Sequence, residues 1–221
     1  MVNRAANQRI SDSFYKEKLP QPSKRSMDPG TLLAPVPVVM ISTGGSCYSV
    51  KRPNIITVAW AGTLNSDPPI VGIGVRPERY SYDAILKSGE FVINLVSRDL
   101  VSRCDYCGVT SGREVDKFAA CGLTPVPIAP LEDAPAIAES PLNLACRVTG
   151  HSPLPSHDLI LGEVVGIEAA TSLFDSDNAL HLERADLISY IHGQYYELGK
   201  LLGFFGYSIA RPEVLARRLK K

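Results

Sequence analysis

The sequence predicts a mainly β, α+β fold in which helices are insertions between strands. Three short runs rich in β-branched residues, bounded by Gly, Pro, Asn and Asp, predict strands over Val38–Ile41, Asn54–Trp60 and Ile70–Val75. These runs follow one another without an intervening helical pattern. A doubly wound parallel sheet would instead alternate strand and helix strictly, so the succession favours an antiparallel sheet or barrel.

Later segments continue this pattern. Ser81 to Lys87 predicts a helix with Ser81 as a possible N-cap and Gly89 just past its end, and Glu90–Leu95 returns as a strand. Four prolines between Pro125 and Pro135 exclude a regular element there and indicate a surface crossing. Further helices are expected over Arg98–Cys107 and Gly112–Cys121 and around Arg184–Ile191, and further strands over Leu142–Thr149, Leu159–Ala170 and Leu202–Ile209.

The third predicted strand has an unusual composition. Val71, Ile73 and Val75 alternate with Gly72 and Gly74, so one face can pack while the other carries no side chains. Such a face permits close approach of a second backbone or a flat ligand.

Length and composition limit the organisation and the class of function. The 221 residues suit one domain with extensions. The polar residues 1–29 predict a flexible arm, which leaves 30–221 as the domain.

Charge and cysteine content point to small-molecule chemistry. Lys plus Arg and Asp plus Glu number 23 each, so no net field favours nucleic acid or an anionic membrane, and no apolar run is long enough to span a bilayer. The first ten residues lack the apolar core of a signal peptide. Five cysteines, an odd number, are typical of reduced thiols, and we expect a cytoplasmic protein.

The most informative segment is Asn54 to Asn94, NIITVAWAGTLNSDPPIVGIGVRPERYSYDAILKSGEFVIN. It resembles the FMN-binding core of the flavin-reductase-like split-barrel family in the order and spacing of its strands, its Asp-Pro-Pro loop, its Arg-rich turn and its helix. The resemblance implies a Greek-key split β-barrel, FMN as cofactor and a homodimer. No P-loop or G-x-G-x-x-G motif occurs, so FMN is expected over a dinucleotide.

Arg76, Arg79 and Ser81 are the phosphate candidates. They stand where a strand turns into a helix N-terminus, a place that favours anions. The alternative is that the arginines are solvated turn residues. Trp60, the single tryptophan, could likewise be a core residue. The resemblance implies FMN contacts from Asn54, Thr57, Val58, Ala59, Trp60, Ala61, Thr63, Arg76, Arg79, Ser81 and Asn94.

A second block, DYCGVTSGREVDKF over 105–118, resembles the flavoredoxin-like branch of this family. That resemblance implies that Ser111 and Lys117 help to hold FMN, from the same or the other subunit. The alternative is that these residues form the charged start of a helix. Cys104 and Cys107 form a CxxC pair. A redox dithiol and two packed thiols are both possible, and packing is favoured because no thioredoxin-like context surrounds the pair.

His157 is the candidate catalytic residue. Its segment, His-Asp-Leu-Ile-Leu-Gly-Glu, resembles the family segment whose histidine lies near nicotinamide and flavin. An imidazole there could hydrogen-bond the nicotinamide amide or assist protonation, whereas a solvated histidine at a strand start is the alternative. The remaining histidines show no ligand spacing, and no metal site is expected.

The function implied is electron transfer from NADH or NADPH to FMN, or onward to a small-molecule acceptor or a redox protein partner. The same residues leave two alternatives. One is a non-enzymatic flavin- or heme-binding module of the same fold, and the other is a pyridoxamine-phosphate-oxidase-like enzyme.

Overall fold

A computed structural model describes residues 18–45 and 52–219. Leu32–Leu198 form one compact unit, and the described residues 18–31 and 199–219 belong to a second. Residues 1–17 of the predicted arm lie outside the described residues, whereas 18–29 are exposed and have no helix or strand. The division of the chain at residue 29 therefore stays a prediction.

The described residues form twelve strands and four α-helices. The strands are β1 (Val36–Pro37), β2 (Val39–Thr43), β3 (Asn54–Val58), β4 (Ala61–Ser66), β5 (Pro69–Val75), β6 (Glu90–Leu95), β7 (Pro125–Val126), β8 (Ala136–Ile137), β9 (Leu142–Pro153), β10 (Asp158–Ala169), β11 (Ile188–Ile191) and β12 (Gln194–Glu197). The helices are α1 (Tyr80–Ser88), α2 (Val101–Val109), α3 (Lys117–Cys121) and α4 (Pro212–Arg218). Short 3-10 helices cover Arg98–Leu100, Thr171–Leu173, Leu182–Ala185 and Tyr207–Ile209.

Seven of the strands form one curled antiparallel sheet in the order β3-β2-β6-β9-β10-β5-β4. A three-stranded sheet, β1-β11-β12, and the pair β7-β8 complete the strand pairings. Helices are inserted between strands and do not alternate with them. The predicted mainly β fold with helical insertions is therefore confirmed.

The large sheet is buried on both faces over its first strands. Ile41 of β2 packs with Phe91 and Ile73 in one cluster, while its neighbour Met40 packs with Ile55 in a second cluster under α2. A strand covered on both faces reads as a continuous apolar run, which explains the sequence Val-Val-Met-Ile. Through the second cluster, α2 and α3 are held against the outer face of β3.

Helix α1 differs from the prediction at its start. Arg79 is its N-cap residue, so Ser81 lies inside the first turn and does not cap it. Ser81 is buried, and its Oγ accepts a hydrogen bond from Asn54. The predicted end is confirmed because Gly89 adopts the left-handed conformation (φ 71°) and its N–H donates to the carbonyl of Ile85.

Four other predicted elements change. Only the last five residues of Gly112–Cys121 are helical. The helix predicted around 184–191 is wrong, because a 3-10 turn gives way to strand β11. The strand predicted over Leu202–Ile209 is also wrong, since that segment is irregular and ends in a 3-10 turn. The proline-rich crossing is largely irregular, yet it includes β7 and buries Ile128 in the core.

The second unit is dominated by exposed side chains in its described part. Phe204 and Tyr207 form an edge-to-face contact with 6.4 Å between ring centroids, and the guanidinium of Arg218 lies 4.8 Å from the Phe204 centroid. Among the described residues, no helix has the length and apolar character required to cross a membrane.

Candidate functional site

A cavity of about 150 Å³ lies beside the turn that joins β5 to α1. Its walls come from the start of β3, the first turn of α1, the end of α2 and the segment between α2 and α3. The lining residues are Asn54, Ile56, Glu78, Arg79, Tyr80, Ser81, Cys107, Gly108, Val109, Thr110, Ser111, Gly112, Arg113 and Lys117. The site therefore draws on both blocks that stood out in the sequence.

The N-terminus of α1 forms one wall of this cavity. Among the described residues no side chain caps the first turn of the nine-residue helix. The first N–H groups of a helix lack carbonyl partners within it, and together with the helix dipole they favour an anion. An anionic group bound here would supply the missing cap.

Asn54 and Gly112 shape the floor. The Asn54 amide donates to Ser81 Oγ at 2.8 Å, which fixes β3 against α1. A Cβ atom on Gly112 would lie 2.3 Å from Asn54 Oδ1 and 2.5 Å from the Tyr80 ring, so only glycine fits without a shift. The close approach of this segment to β3 and α1 therefore depends on Gly112.

Lys117 closes the deep end of the cavity. It is 3% exposed, and its ammonium donates to the carbonyls of Ile55 and Cys107, each at 2.7 Å. Burial lowers the pKa of Lys117, with a smaller opposing effect from the thiols of Cys107 and Cys121. An ammonium has three hydrogens, so after these two bonds one remains for a group in the cavity.

Arg113 is a lining residue that the sequence analysis did not select. It donates to the backbone carbonyl of Glu78 at 3.1 Å, and its guanidinium lies 5.6 Å from the Tyr80 ring centroid. Lys117, Arg79 and Arg113 together outnumber the single lining carboxylate, that of Glu78. The cavity is therefore electropositive. The sequence signal that could have identified Arg113 is its place in the Ser-Gly-Arg motif, directly after Ser111 and Gly112.

The structure brings five of the predicted cofactor residues to this cavity, namely Asn54, Arg79, Ser81, Ser111 and Lys117. Arg76 is not among the lining residues. It is exposed on the same turn and pairs with exposed Glu78 at 3.3 Å. Such an exposed pair contributes about 1 kcal/mol at most.

The predicted ring-contacting segment does not line the cavity. Val58 is a core residue, while the Thr57 hydroxyl donates to the Cys104 carbonyl and packs against Gly108. Ala59 and Ala61 are half-buried, and Thr63 is exposed. The segment forms a corner outside the cavity.

Trp60 lies at this corner and is 41% exposed. Its Cβ would be 3.1 Å from a Cβ on Gly74, and a Cβ on Gly72 would lie 2.6 Å from Leu64. Side chains of the β3–β4 region thus cover the glycine face of β5, where the sequence suggested a second backbone or a flat ligand. The single tryptophan is a partly exposed surface residue in this chain, and its predicted FMN contact stays a prediction.

Asn94 lies apart from the cavity in a buried network. Its amide nitrogen donates to Met40 O and Ser42 Oγ at 2.9 Å and to Val92 O at 3.2 Å. Its Oδ1 accepts from Ile137 N at 2.9 Å and Asn143 Nδ2 at 2.8 Å. Protein groups thus use the hydrogen-bonding capacity of this side chain, so we leave Asn94 out of the candidate site.

His157 immediately precedes β10, next to the turn that bears the arginines. Asp158 pairs with Val75, which sets His157 beside Arg76, and Nδ1 lies 2.9 Å from Ser156 Oγ. Burial, followed by Arg76, holds the pKa of His157 below its ordinary value, although Glu78 opposes the shift. The lowered pKa favours the neutral imidazole, which can donate one hydrogen bond and accept another.

The CxxC thiols are packed on the inner face of α2. Cys104 and Cys107 are fully buried in the second core cluster, and burial raises the pKa of each to about 12. Cys104 Sγ lies 3.8 Å from Thr57 Oγ1, whereas Cys107 Sγ lies 3.8 Å from Cys121 Sγ. The close thiol pair is therefore Cys107 with Cys121. In the part of the chain that the structure describes, no group of three or more His, Cys, Asp or Glu residues could hold a metal ion.

Comparison with known proteins places these features in a family. The family model for the flavin reductase like domain matches residues 32–199. Flavoredoxin of Desulfovibrio vulgaris (Miyazaki F) has a similar structure, with a TM-score of 0.76 and 32% sequence identity over 82% of this chain and 97% of that one. A flavoredoxin from Methanosarcina acetivorans, 24% identical with a TM-score of 0.73 over 83% of this chain and 95% of that one, shows the same fold.

An uncharacterized protein of Archaeoglobus fulgidus is 30% identical over 118 residues, which are 53% of this chain and 66% of that protein. The chain thus spans a little under two thirds of that relative. The structural matches confirm the split-barrel fold and support a flavin-related oxidoreductase. The chain belongs to the flavin reductase like domain family.

Proposed function

We propose that this protein is an FMN-dependent oxidoreductase that takes electrons from NADH or NADPH and passes them to flavin or to a further acceptor. The observation that carries the proposal is the electropositive cavity at the uncapped start of α1, with buried Lys117 at its deep end. A phosphate dianion needs cations, hydroxyls and backbone donors, and this cavity offers all three.

The donor set assigns roles within the cavity. Lys117 and Arg79 would hold the terminal phosphate as cations, with Ser81, Ser111 and backbone N–H groups as neutral donors. Arg113, fixed by the Glu78 carbonyl and Tyr80, adds positive charge at the same wall. A site that binds a terminal phosphate favours FMN over riboflavin, because riboflavin lacks that dianion.

The size of the cavity favours a homodimer. Ligand pockets for molecules of cofactor size usually measure about 300–1,000 Å³. A cavity of about 150 Å³ holds the phosphate end but not the whole of FMN. We propose that residues at the Trp60 corner would hold the flat ring and that a second copy of the chain would cover it.

The chemistry in the proposed reaction is that of FMN, which supplies hydride acceptance when bound. The chain binds the phosphate, orients the ring and excludes water. His157, whose lowered pKa favours the neutral imidazole, would donate its N–H to the carboxamide of nicotinamide and so position the donor. The proposed setting is the cytoplasm, with a small molecule or a redox protein as the final acceptor.

An absorbance spectrum and anaerobic stopped-flow bleaching test the proposal. The purified protein should bind FMN stoichiometrically, and NADH or NADPH should bleach the flavin bands. His157→Ala should keep FMN but slow its reduction about ten- to a hundredfold, or about 1.4–2.7 kcal/mol. His151→Ala, an exposed histidine on β9, is the matched control. Bound flavin that neither nicotinamide nucleotide reduces would contradict the enzyme proposal.

A further inference from the structure

The thiols of Cys107 and Cys121 meet at the back of the cavity wall. Their Sγ atoms are 3.8 Å apart, and both cysteines are free. A disulfide needs about 2.05 Å, so closure requires the two sulfurs to approach by roughly 1.8 Å. Cys121 is the last residue of the short helix α3 and is followed by Gly122 in the left-handed conformation (φ 59°). A helix end of this kind can shift more readily than a helix interior.

The two cysteines differ in access, which gives the pair an order of reaction. Cys107 is fully buried, whereas Cys121 is half-buried and is therefore the more exposed of the two. Arg103 donates to the Cys121 carbonyl at 2.9 Å and holds the end of α3 against α2. The contact between the thiols is therefore built by helix packing that is fixed by a charged hydrogen bond.

The same short helix joins this thiol pair to the cavity. Lys117 and Cys121 lie four residues apart on α3, and both contact Cys107. The Lys117 ammonium donates to the Cys107 carbonyl, and the Cys121 thiol contacts the Cys107 thiol. Cys107 is itself a lining residue, and Gly108 after it packs on Thr57. A shift of Cys121 towards Cys107 would therefore be expected to move Lys117, which closes the cavity.

We propose that Cys107 and Cys121 form a reversible disulfide that weakens binding in the adjoining cavity. Its effect on FMN rests on the proposed function, but formation of the bond does not. The oxidant is hydrogen peroxide. The Cys121 thiolate attacks one peroxide oxygen, the O–O bond breaks, a sulfenic acid forms and hydroxide leaves.

The Cys107 thiol then attacks the sulfenic sulfur. The S–O bond breaks, the S–S bond forms and water leaves, so two thiols and one peroxide give one disulfide and two waters. A dithiol reductant restores both thiols by exchange. Disulfides of this transient kind are the usual ones in reducing compartments.

Peptide mapping of the full chain tests bond formation without any cofactor. The reduced protein is treated with hydrogen peroxide, unfolded in the presence of an alkylating agent, digested and examined by mass spectrometry. The expected product is a peptide linked between Cys107 and Cys121 that dithiothreitol removes, that is absent from Cys121→Ser and that persists in Cys104→Ala. Cys47, which lies outside the described residues, is followed in the same map. An alkylated Cys107 after treatment, or a bond from Cys107 to another cysteine, overturns the proposal.

An FMN titration of the folded protein, before and after the same peroxide treatment, tests the effect on the cavity. We expect about tenfold weaker FMN binding after oxidation, full recovery with dithiothreitol and no response in Cys121→Ser. Equal FMN affinity in the linked and reduced forms overturns the coupling to the cavity. If neither form binds FMN, the proposed function fails while the peptide map still decides the disulfide.

Discussion

Two buried polar clusters, around Asn94 and around Lys117, flank the same sheet, and they differ in how much hydrogen-bonding capacity the protein leaves unused. Asn94 sits among Met40, Ser42, Ile137 and Asn143, with protein partners for both ends of its amide. Lys117 has two carbonyl partners, and its remaining hydrogen borders a cavity beside an uncapped helix start. Both residues were sequence candidates for holding FMN.

The difference separates a structural polar network from a binding site. A closed network fixes strands to one another and costs stability when one member is lost. An open cluster with excess positive charge gains most when an anion completes it. Burial of a polar side chain therefore indicates function only when its hydrogen-bonding groups are not all used within the protein.

Removal of Asn94 should have the largest effect on stability. Asn94→Leu should lower the free energy of unfolding by about 3 kcal/mol, because the N–H of Ile137 and the amide of Asn143 lose their shared acceptor. Urea denaturation measures this, and FMN affinity of the folded protein should stay within about twofold. Asn65→Ala, an exposed residue with one bond to the Pro68 carbonyl, is the control and should change stability by about 0.5 kcal/mol at most. Loss of FMN binding at unchanged stability would place Asn94 in the site after all.

Lys117→Met should weaken FMN binding about a hundredfold, or about 2.7 kcal/mol, because it removes the buried cation at the deep end of the cavity. Fluorescence titration of folded protein measures the affinity. Lys87→Met, near the far end of α1, is the matched lysine control. If both lysine variants bind FMN as the parent does, the cavity is not the phosphate site.

Gly112→Ala should weaken FMN binding about tenfold, or about 1.4 kcal/mol, since the new methyl group would displace Asn54 and Tyr80. Gly150→Ala, on β9 and outside the cavity, is the control, because a Cβ on Gly150 meets nothing within 4 Å. Equal FMN affinity in the two glycine variants would show that the close packing at residue 112 does not shape the site.

Substitution of the two arginines of the β5–α1 turn should have smaller and unequal effects on FMN affinity. Arg79→Ala should cost about fivefold in FMN affinity, or about 1 kcal/mol, because Arg79 lines the cavity. Arg76→Ala should change it less than about twofold, because Arg76 is exposed and paired with Glu78. The reverse order in a parallel titration would move the phosphate site to the outer side of the turn.

Sequence patterns predicted the strands whose apolar residues are buried, such as β2, β5 and β6. They missed β4, because Gly-Thr-Leu-Asn-Ser forms an exposed strand with no apolar face. They also placed a helix where β11 lies. That short strand is specified by pairing with β1 and β12, which no local pattern reports.

For the site, too, sequence patterns identified residues but not the contacts between distant segments. The Arg-rich turn and the Ser-Gly-Arg segment identified Arg79, Ser111 and Lys117, which the structure brings together from separate parts of the chain. Asn94 could not be separated from them by sequence, because only its partners on neighbouring strands show that its amide is fully used. The contact of Cys107 with Cys121 was hidden for a similar reason, since the CxxC spacing drew attention to Cys104.

We expect the cavity at the start of α1 to bind the phosphate of FMN. Parallel titrations of the full-length protein with FMN and riboflavin decide this, since the two ligands differ only in that phosphate. We expect riboflavin to bind about a thousandfold more weakly than FMN, or by about 4 kcal/mol, and the gap to shrink at least tenfold in Lys117→Met. Equal affinity of the parent protein for FMN and riboflavin would contradict it.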